Sequence, residues 1–384
     1  MKYVISFYNQ TAAGPQNLAS TFLAVLERDA AAADDYFVFF PKIEIYSKLF
    51  GPRRGRIKIF FIPHFAFGNQ MLSILIYDFL MLPFIVALIN PKVVLIFGSL
   101  APVPFFFKKK ITLVHHPYLV DDGLLASLGP GRRLVENAKR FIFYLTAKAG
   151  GIFVVETENM KQNLTRKYGI RQDLINVIGN SVGETFYREC SGSRAAFSPA
   201  PPRRNYLFYP SRFNRHKNHR FIMEIARDFS PYFESNGLKF YITVDGGADK
   251  EAENYLRAVK AAGLDKIIVN LGEMPNEKLC AYYRGALGLF FPSKSETFGI
   301  PLLEAMAFGL PVIVPDLPYA HDVCGSAGWY YPPGDTGAAF AKIKFLYQDE
   351  AKREELAKMS RARFLEFPTP HDWVCRYLSL IRNS

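Results

Sequence analysis

Cysteine is scarce in this 384-residue chain: Cys190, Cys280, Cys324 and Cys375 are scattered, form no C-x-x-C pair and have no pair of histidines nearby. That spacing excludes a disulfide framework and a structural zinc module, and fits a reducing, cytoplasmic setting. Tryptophan occurs twice, and no repeat or low-complexity tract is present. Charged residues make up only 21% against 49% hydrophobic, too little charge and too much apolar material for a disordered chain. The start, MKYVISFYN, runs straight into a strand-like segment without the charged region, apolar stretch and cleavage site of a secretory signal, so export is not expected. What is abundant is aromatic and basic: 35 Phe, 21 Tyr, and 47 Lys+Arg against 35 Asp+Glu, for a net charge of +12. Such a balance suits a polyanionic partner: nucleic acid, an anionic membrane face or a phosphate-bearing substrate.

The length favours two domains, since one domain typically holds roughly 100–200 residues. Strand-like runs at Lys2–Tyr8, Tyr36–Phe40, Lys58–Ile62, Val93–Phe97, Ile111–His115 and Gly151–Val155 alternate with helical segments such as Gln16–Arg28. This predicts an α/β domain with a parallel sheet. The Ser, Ala, Pro and Arg-rich stretch Cys190–Arg204 reads as a linker, and a second alternating series follows it. The expected division is 1–188, a linker at 189–204, a second doubly wound domain at 205–368, and a tail at 369–384. In that tail Trp373, Val374, Tyr377, Leu378 and Ile381 form the apolar stripe of a helix.

One long apolar run exists, Met71–Ile89, with Asp78 as its single charge. Asp78 near its centre would cost about 2.5–3.5 kcal/mol on insertion, and Pro83 interrupts it. With a sheet strand following at Val93–Phe97, a buried or interfacial helix is the better reading than a membrane span. Basic charge beside exposed rings, as in Pro104–Lys110 (PFFFKKK), leaves a peripheral contact with an anionic membrane open.

The most informative stretch is Phe291–Val314, FPSKSETFGIPLLEAMAFGLPVIV. A strand ends, a short loop follows, and Pro301 stands where a helix should begin. The amides of Phe298, Gly299 and Ile300 would lie at a helix N-terminus, which favours an anion, and Gly299 would let a ligand approach the backbone. Glu296 and Glu304, eight residues apart, could grip ligand hydroxyls from the loop and the first turns of the helix. An isolated pair of this kind is more often a solvated loop residue and a helix-dipole partner. A second element, Pro210–His219 (PSRFNRHKNH), sets Arg212 and Lys217 at the carboxyl end of a predicted strand, where open α/β sheets bind ligands.

The spacing of Glu296 and Glu304, with its flanks, resembles the E-x7-E motif of retaining nucleotide-sugar glycosyltransferases of family 4 (glycosyl transferases group 1), which have the GT-B fold. The resemblance implies two Rossmann-like domains facing a cleft, the C-terminal one binding the donor and the last helix crossing back to the N-terminal, acceptor-binding domain. It implies that Glu296 lies by the donor sugar hydroxyls, that Glu304 holds the ribose hydroxyls, and that the backbone of Phe298, Gly299 and Ile300 lies against sugar and diphosphate. Arg212 and Lys217 match the family's R-x4-K element, whose cations clamp the diphosphate and offset the charge of the leaving group. The segment NLGEMPNEKLCAYY resembles the one whose backbone near Gly272 and Met274 flanks the nucleobase. In the N-terminal half the match is thinner. Gly14, in the small-residue loop QTAAGPQ, stands where the family places a turn touching the phosphate, and either His115 or His116, in HHPYLVDD, matches a histidine that reaches the donor sugar. Asn180–Val182 resembles the family's N-G-V turn but carries Ser181.

The implied activity is retaining, metal-independent hexosyl transfer from a nucleotide sugar, with GDP-mannose as the first candidate and UDP- and dTDP-sugars open. No D-x-D triplet for a metal–diphosphate occurs, and no cofactor is expected. The acceptor would be a hydroxyl of a glycan or of a polyprenyl-diphosphate-linked glycan, as in O-antigen or capsule assembly. A nucleotide-sugar epimerase of similar architecture, a phosphorylase and a non-catalytic polyanion binder are the competing readings; no nucleic-acid motif is present.

Overall fold

The computed structural model of the protein describes residues 1–10, 13–29, 34–44, 46, 55–63, 70–100, 109–191, 205–247 and 250–384. The chain forms two compact units, Met1–Ser181 with Pro368–Ser384, and Val182–Phe367.

The first unit is built on a seven-stranded sheet in the order β3-β2-β1-β4-β5-β6-β7, every pair parallel. Its strands are β1 (Lys2–Ser6), β2 (Asp35–Pro41), β3 (Ile57–Ile62), β4 (Val93–Phe97), β5 (Lys109–Leu113), β6 (Ile152–Val155) and β7 (Ile175–Val177). The central β4, VVLIF, is buried at every residue, as expected of a strand covered on both faces. Its helices are α1 (Ala13–Asp29), α2 (Gln70–Ile76), α3 (Leu82–Ile89), α4 (Asp122–Ala126), α5 (Pro130–Lys148) and α6 (Glu158–Tyr168). Asp121 and Thr157 cap α4 and α6 by accepting from the amides of Leu124 and Met160.

The run Met71–Ile89 is not one regular helix. A π-helical turn at Tyr77–Met81 separates α2 from α3, and Pro83 sits in the first turn of α3. Asp78 points inward, fully buried, and accepts a hydrogen bond from Asn9 Nδ2 at 3.2 Å. By length and composition Leu72–Ile89 could cross a membrane, but it leads into β4, which is hydrogen-bonded between β1 and β5. The helix belongs to the sheet's covering layer.

The second unit holds a six-stranded parallel sheet in the order β10-β9-β8-β11-β12-β13. The strands are β8 (Tyr206–Tyr209), β9 (Lys239–Ile242), β10 (Ile268–Asn270), β11 (Gly288–Phe290), β12 (Val312–Pro315) and β13 (Gly328–Tyr331). Around it lie α7 (Glu184–Ser191), α8 (His219–Asp228), α9 (Ser230–Asn236), α10 (Lys250–Ala261), α11 (Asn276–Gly285), α12 (Ile300–Ala307), α13 (Pro318–Cys324), α14 (Thr336–Gln348) and α15 (Glu350–Phe364).

The boundary expected at residue 188 moves to Ser181/Val182. The cause is α7, whose Phe186 and Cys190 are buried in the second core, with Phe186 edge-on to Tyr283 and Phe308. Residues 189–191 of the expected linker are therefore helical, and 192–204 lie outside the described residues. The tail forms α16 (Pro370–Asn383) and packs in the first unit, where Trp373 and Tyr377 meet Phe22 of α1 at 5.9 and 6.0 Å.

Candidate active site

The second sheet reverses its strand order between β8 and β11, and the loops leaving their carboxyl ends flank the point where open α/β sheets leave a crevice. After β8 the chain makes a 3-10 turn, Arg215–Lys217, and Asn218 takes a left-handed conformation (φ 57°) before α8. Asparagine tolerates that conformation better than most residues. The two loops are tied together: Lys294 N donates to His216 O at 2.7 Å, Asn218 Nδ2 donates to Pro292 O at 3.2 Å, and Ser293 Oγ lies 3.0 Å from His216 O.

On that frame Lys217 Nζ donates to Glu296 Oε1 at 2.6 Å, and Ser293 Oγ donates to the same atom at 2.6 Å. Burial raises the Glu296 carboxyl, but Lys217, His216 and the two hydrogen bonds outweigh it and hold the group below its ordinary range. Glu296 is thus an ionised carboxylate paired with a cation. Arg212, half-exposed, reaches Glu273 Oε1 at 2.6 Å and links the β8 loop to the loop after β10 that contains Gly272 and Met274. Gly272 has φ +72°, and its amide donates to Asn270 Oδ1 at 3.3 Å.

Gly299 caps α12 with φ +90°, a region that L side chains rarely adopt. A Cβ there would meet Leu302 Cδ1 at 3.0 Å and Phe291 Cζ at 3.5 Å, so the glycine is demanded by backbone conformation and by the core beneath it. Phe298 is buried with its ring edge-on to Phe367, which leaves its backbone as the part that faces the loop. Ile300 opens α12, Pro301 follows in its first turn, and no side chain caps that end. Glu304, one turn further, is 7% exposed and accepts from Tyr283 Oη at 2.7 Å. Burial pushes its carboxyl up to about 7, against the lowering effect of that bond. The two carboxyls therefore titrate in different ranges, because Glu296 has the Lys217 cation beside it and Glu304 has the Tyr283 phenol.

Arg212, Lys217, Gly272, Met274, Glu296, Phe298, Gly299, Ile300 and Glu304 all fall on loops after β8, β10 and β11 or on α12. Ser293, Tyr283 and Glu273 join them without having been singled out. Ser293 lies inside the PSKSE string and Tyr283 inside KLCAYY, so the signals were present but carried no spacing rule.

The first unit holds the remaining candidates. His115 ends the β5 segment, its amide donating to Ser99 Oγ at 3.1 Å. Its Nδ1 is buried without a hydrogen-bond partner, and burial first, then His116, lowers its pKa to about 4. His116 is engaged instead: Nε2 lies 2.7 Å from Glu136 Oε2, while Glu136 Oε1 accepts from Lys139 Nζ at 2.7 Å. Gly14 is not in a loop. It lies in the first turn of α1, because Pro15 is compatible with a helix start.

Comparison with known proteins agrees with this architecture. Residues 194–363 match glycosyl transferases group 1. Over 210 residues the chain is 29% identical to the O-antigen chain mannosyltransferase RfbU of Salmonella typhimurium, covering 54% of each protein. Over 162 residues it is 28% identical to O-antigen chain mannosyltransferase B of Escherichia coli, covering 42% of each. The chain thus spans about half the length of the curated relatives it matches. Among solved structures, WaaG, a glycosyltransferase involved in lipopolysaccharide biosynthesis, aligns over 100% of both chains with a TM-score of 0.71 at 12% identity. Anabaena Alr3699/HepE, solved with UDP and glucose, aligns over 100% of both with a TM-score of 0.71 at 13% identity. The fold is GT-B, and the group 1 region contains every candidate residue of the second unit.

Proposed function

We propose that the protein is a retaining, metal-independent glycosyltransferase that moves a hexose from a nucleoside diphosphate sugar to a hydroxyl of a glycan or lipid-linked acceptor. The observation that carries this reading is the Lys217–Glu296 pair across the β8/β11 switch point, with Arg212 on the same β8 loop paired to Glu273 and Glu304 on the adjoining helix. Such an arrangement has a cation for phosphate, a carboxylate for sugar hydroxyls and a second carboxylate for ribose hydroxyls, the three things a nucleotide sugar requires.

In the proposed reaction, Arg212 and Lys217 hold the diphosphate with the backbone of Phe298, Gly299 and Ile300, taking the role a metal ion plays elsewhere. Glu296 orients the sugar and Glu304 the ribose, while Gly272 and Met274 line the base. The bond from the anomeric carbon to the diphosphate oxygen breaks as the acceptor oxygen bonds the same face. The acceptor proton passes to the departing diphosphate, so that a nucleoside diphosphate and a retained glycoside result. Of the two histidines we assign His115 as the first-unit residue that contacts ligand, because its ring has an unpaired nitrogen where His116 is held by Glu136.

The mannosyltransferase relatives favour mannose, carried as GDP-mannose, and an acceptor of the O-antigen type in the cytoplasm. The test is incubation with GDP-mannose, UDP-glucose and dTDP-rhamnose in the presence of chelator, with nucleotide release and product anomeric configuration as readouts. Release from one donor, with the donor's own anomeric configuration retained in the product, supports the reading. An interconverted nucleotide sugar without acceptor would replace it with an epimerase.

A further inference from the structure

Asp29, His371 and Cys375 meet in the first unit, and none of them belongs to the site described above. His371 and Cys375 stand four residues apart on α16, so their side chains lie one turn apart on one face of the helix. The neighbouring face, with Trp373 and Tyr377, packs on Phe22 of α1, and Asp29, the last residue of α1, reaches the start of α16. There Asp29 Oδ2 pairs with His371 Nε2, and Cys375 Sγ lies 3.7 Å from the same nitrogen and 3.9 Å from Nδ1. An oxygen, a nitrogen and a sulfur from these residues thus fall within 4.8 Å of one another. Asp372, in the same turn, is occupied by Thr369, whose Oγ1 donates to its Oδ2 at 2.7 Å, and it stays outside the set.

This spacing suits a four-coordinate zinc-class ion. With ligand bonds of about 2.0–2.3 Å, the edge of a coordination tetrahedron is about 3.3–3.8 Å long. The 3.7 Å between Cys375 Sγ and His371 Nε2 already has that length. His371 is 54% exposed, which leaves the fourth corner open to water. As an exposed ion pair alone, His371 and Asp29 would contribute little to stability and would give the sulfur beside them no role.

We propose that Asp29 Oδ2, His371 Nε2 and Cys375 Sγ bind a zinc-class divalent transition-metal ion, with water as the fourth ligand, and that the ion clamps α16 to the end of α1. Binding exchanges the thiol proton of Cys375 for the ion, and the proton leaves to solvent. A sulfur and an imidazole select such an ion over magnesium or calcium, which take sets of oxygen ligands. Cysteine spacing does not reveal this site, because Asp29 and the other two ligands come from opposite ends of the sequence. Cys190, Cys280 and Cys324 are buried in the second core and do not compete for the ion. The clamp belongs to the first unit, goes beyond glycosyl transfer and stands without it.

The test is titration of the chelator-stripped full chain with zinc chloride, followed by calorimetry, and with cobalt(II), followed by absorption. A single zinc ion should bind and raise the melting temperature, and cobalt should give the near-ultraviolet band of a thiolate ligand. Cys375→Ser should abolish that band, and His371→Ala and Asp29→Asn should each weaken zinc binding about tenfold or more. Circular dichroism in chelator shows that each variant is folded. No zinc binding by the folded wild type would overturn the proposal, as would magnesium binding of equal strength. So would metal binding that the three substitutions leave unchanged, which would be adventitious. A cobalt complex without the thiolate band would also overturn it, leaving Asp29 and His371 as an ordinary ion pair.

Discussion

Lys217 and Glu296, 79 residues apart in the chain, meet at 2.6 Å where the second sheet reverses its strand order. Glu296 is only 9% exposed, so its charge depends on that contact and on Ser293. Removing the cation leaves a buried carboxylate with one hydroxyl donor, and its pKa must rise.

Lys217→Ala should therefore act twice, losing the phosphate contact and neutralising Glu296. A fall of roughly 10²–10³-fold in kcat is expected, with folding retained by circular dichroism. Glu296→Gln should lower kcat while leaving nucleoside diphosphate affinity nearly intact, because the carboxylate is assigned to the sugar. Equal loss of diphosphate binding in both variants, measured by calorimetry, would contradict that division of roles.

Glu304 supplies a pH dependence. Its carboxyl titrates at about 7 because burial disfavours the charged form. Ribose hydroxyls donate to the ionised group, so nucleotide binding should tighten as pH rises from 6 to 8 and should release protons below pH 7. Glu304→Gln should flatten this dependence and weaken binding, and Tyr283→Phe, which removes the bond that lowers the pKa, should move it to higher pH. Calorimetry in buffers of different ionisation enthalpy reads the proton release directly.

Gly299→Ala forces an L residue to φ +90° and sets its Cβ 3.0 Å from Leu302. The left-handed backbone costs about 1–2 kcal/mol, so a loss of about 2 kcal/mol in urea unfolding is expected. Gly272→Ala meets nothing within 4 Å and should cost only the backbone part. Equal stability of Gly299→Ala and wild type would mean that the α12 cap relaxes freely.

Asp78 gives a second, independent titration. Burial raises its pKa to about 7, partly offset by the Asn9 amide. Since the folded state binds this proton more tightly than the unfolded chain, the group's favourable contribution is present at low pH and is lost as pH rises from about 4 towards 7. Asp78→Asn carries no such titration. Its stability relative to wild type should increase between pH 5 and pH 8, and a pH-independent difference would show that Asp78 is not buried as described.

Much of the site was legible because its signals are local. Glu296, Gly299, Pro301 and Glu304 fall within one loop–helix segment, and Arg212 and Lys217 within one loop. Their partners were not legible, because Glu273 reaches Arg212 across 61 residues and Tyr283 reaches Glu304 from a separate helix. Most strands of both sheets read as apolar runs, but the short β7 and β13 were not read as strands, and the last turn of α7 was read as the start of a linker, its two core contacts, Phe186 and Cys190, being too few to stand out. Helix α5 escaped notice for the opposite reason: its apolar stripe faces outward, so pattern alone does not say which side meets the core. Gly14 misled because Ala-Gly-Pro is common to loops and to first helical turns.

The central claim is that the β8/β11 switch point binds a nucleoside diphosphate through protein cations, and titration calorimetry tests it most directly. GDP, UDP, dTDP and ADP would be added in turn to the wild type in chelator, and the tightest binder then to Lys217→Ala and Glu304→Gln. The account predicts saturable binding of one nucleotide without metal, weakened in both variants. No binding by any nucleotide, or binding that both substitutions leave unchanged, would contradict it.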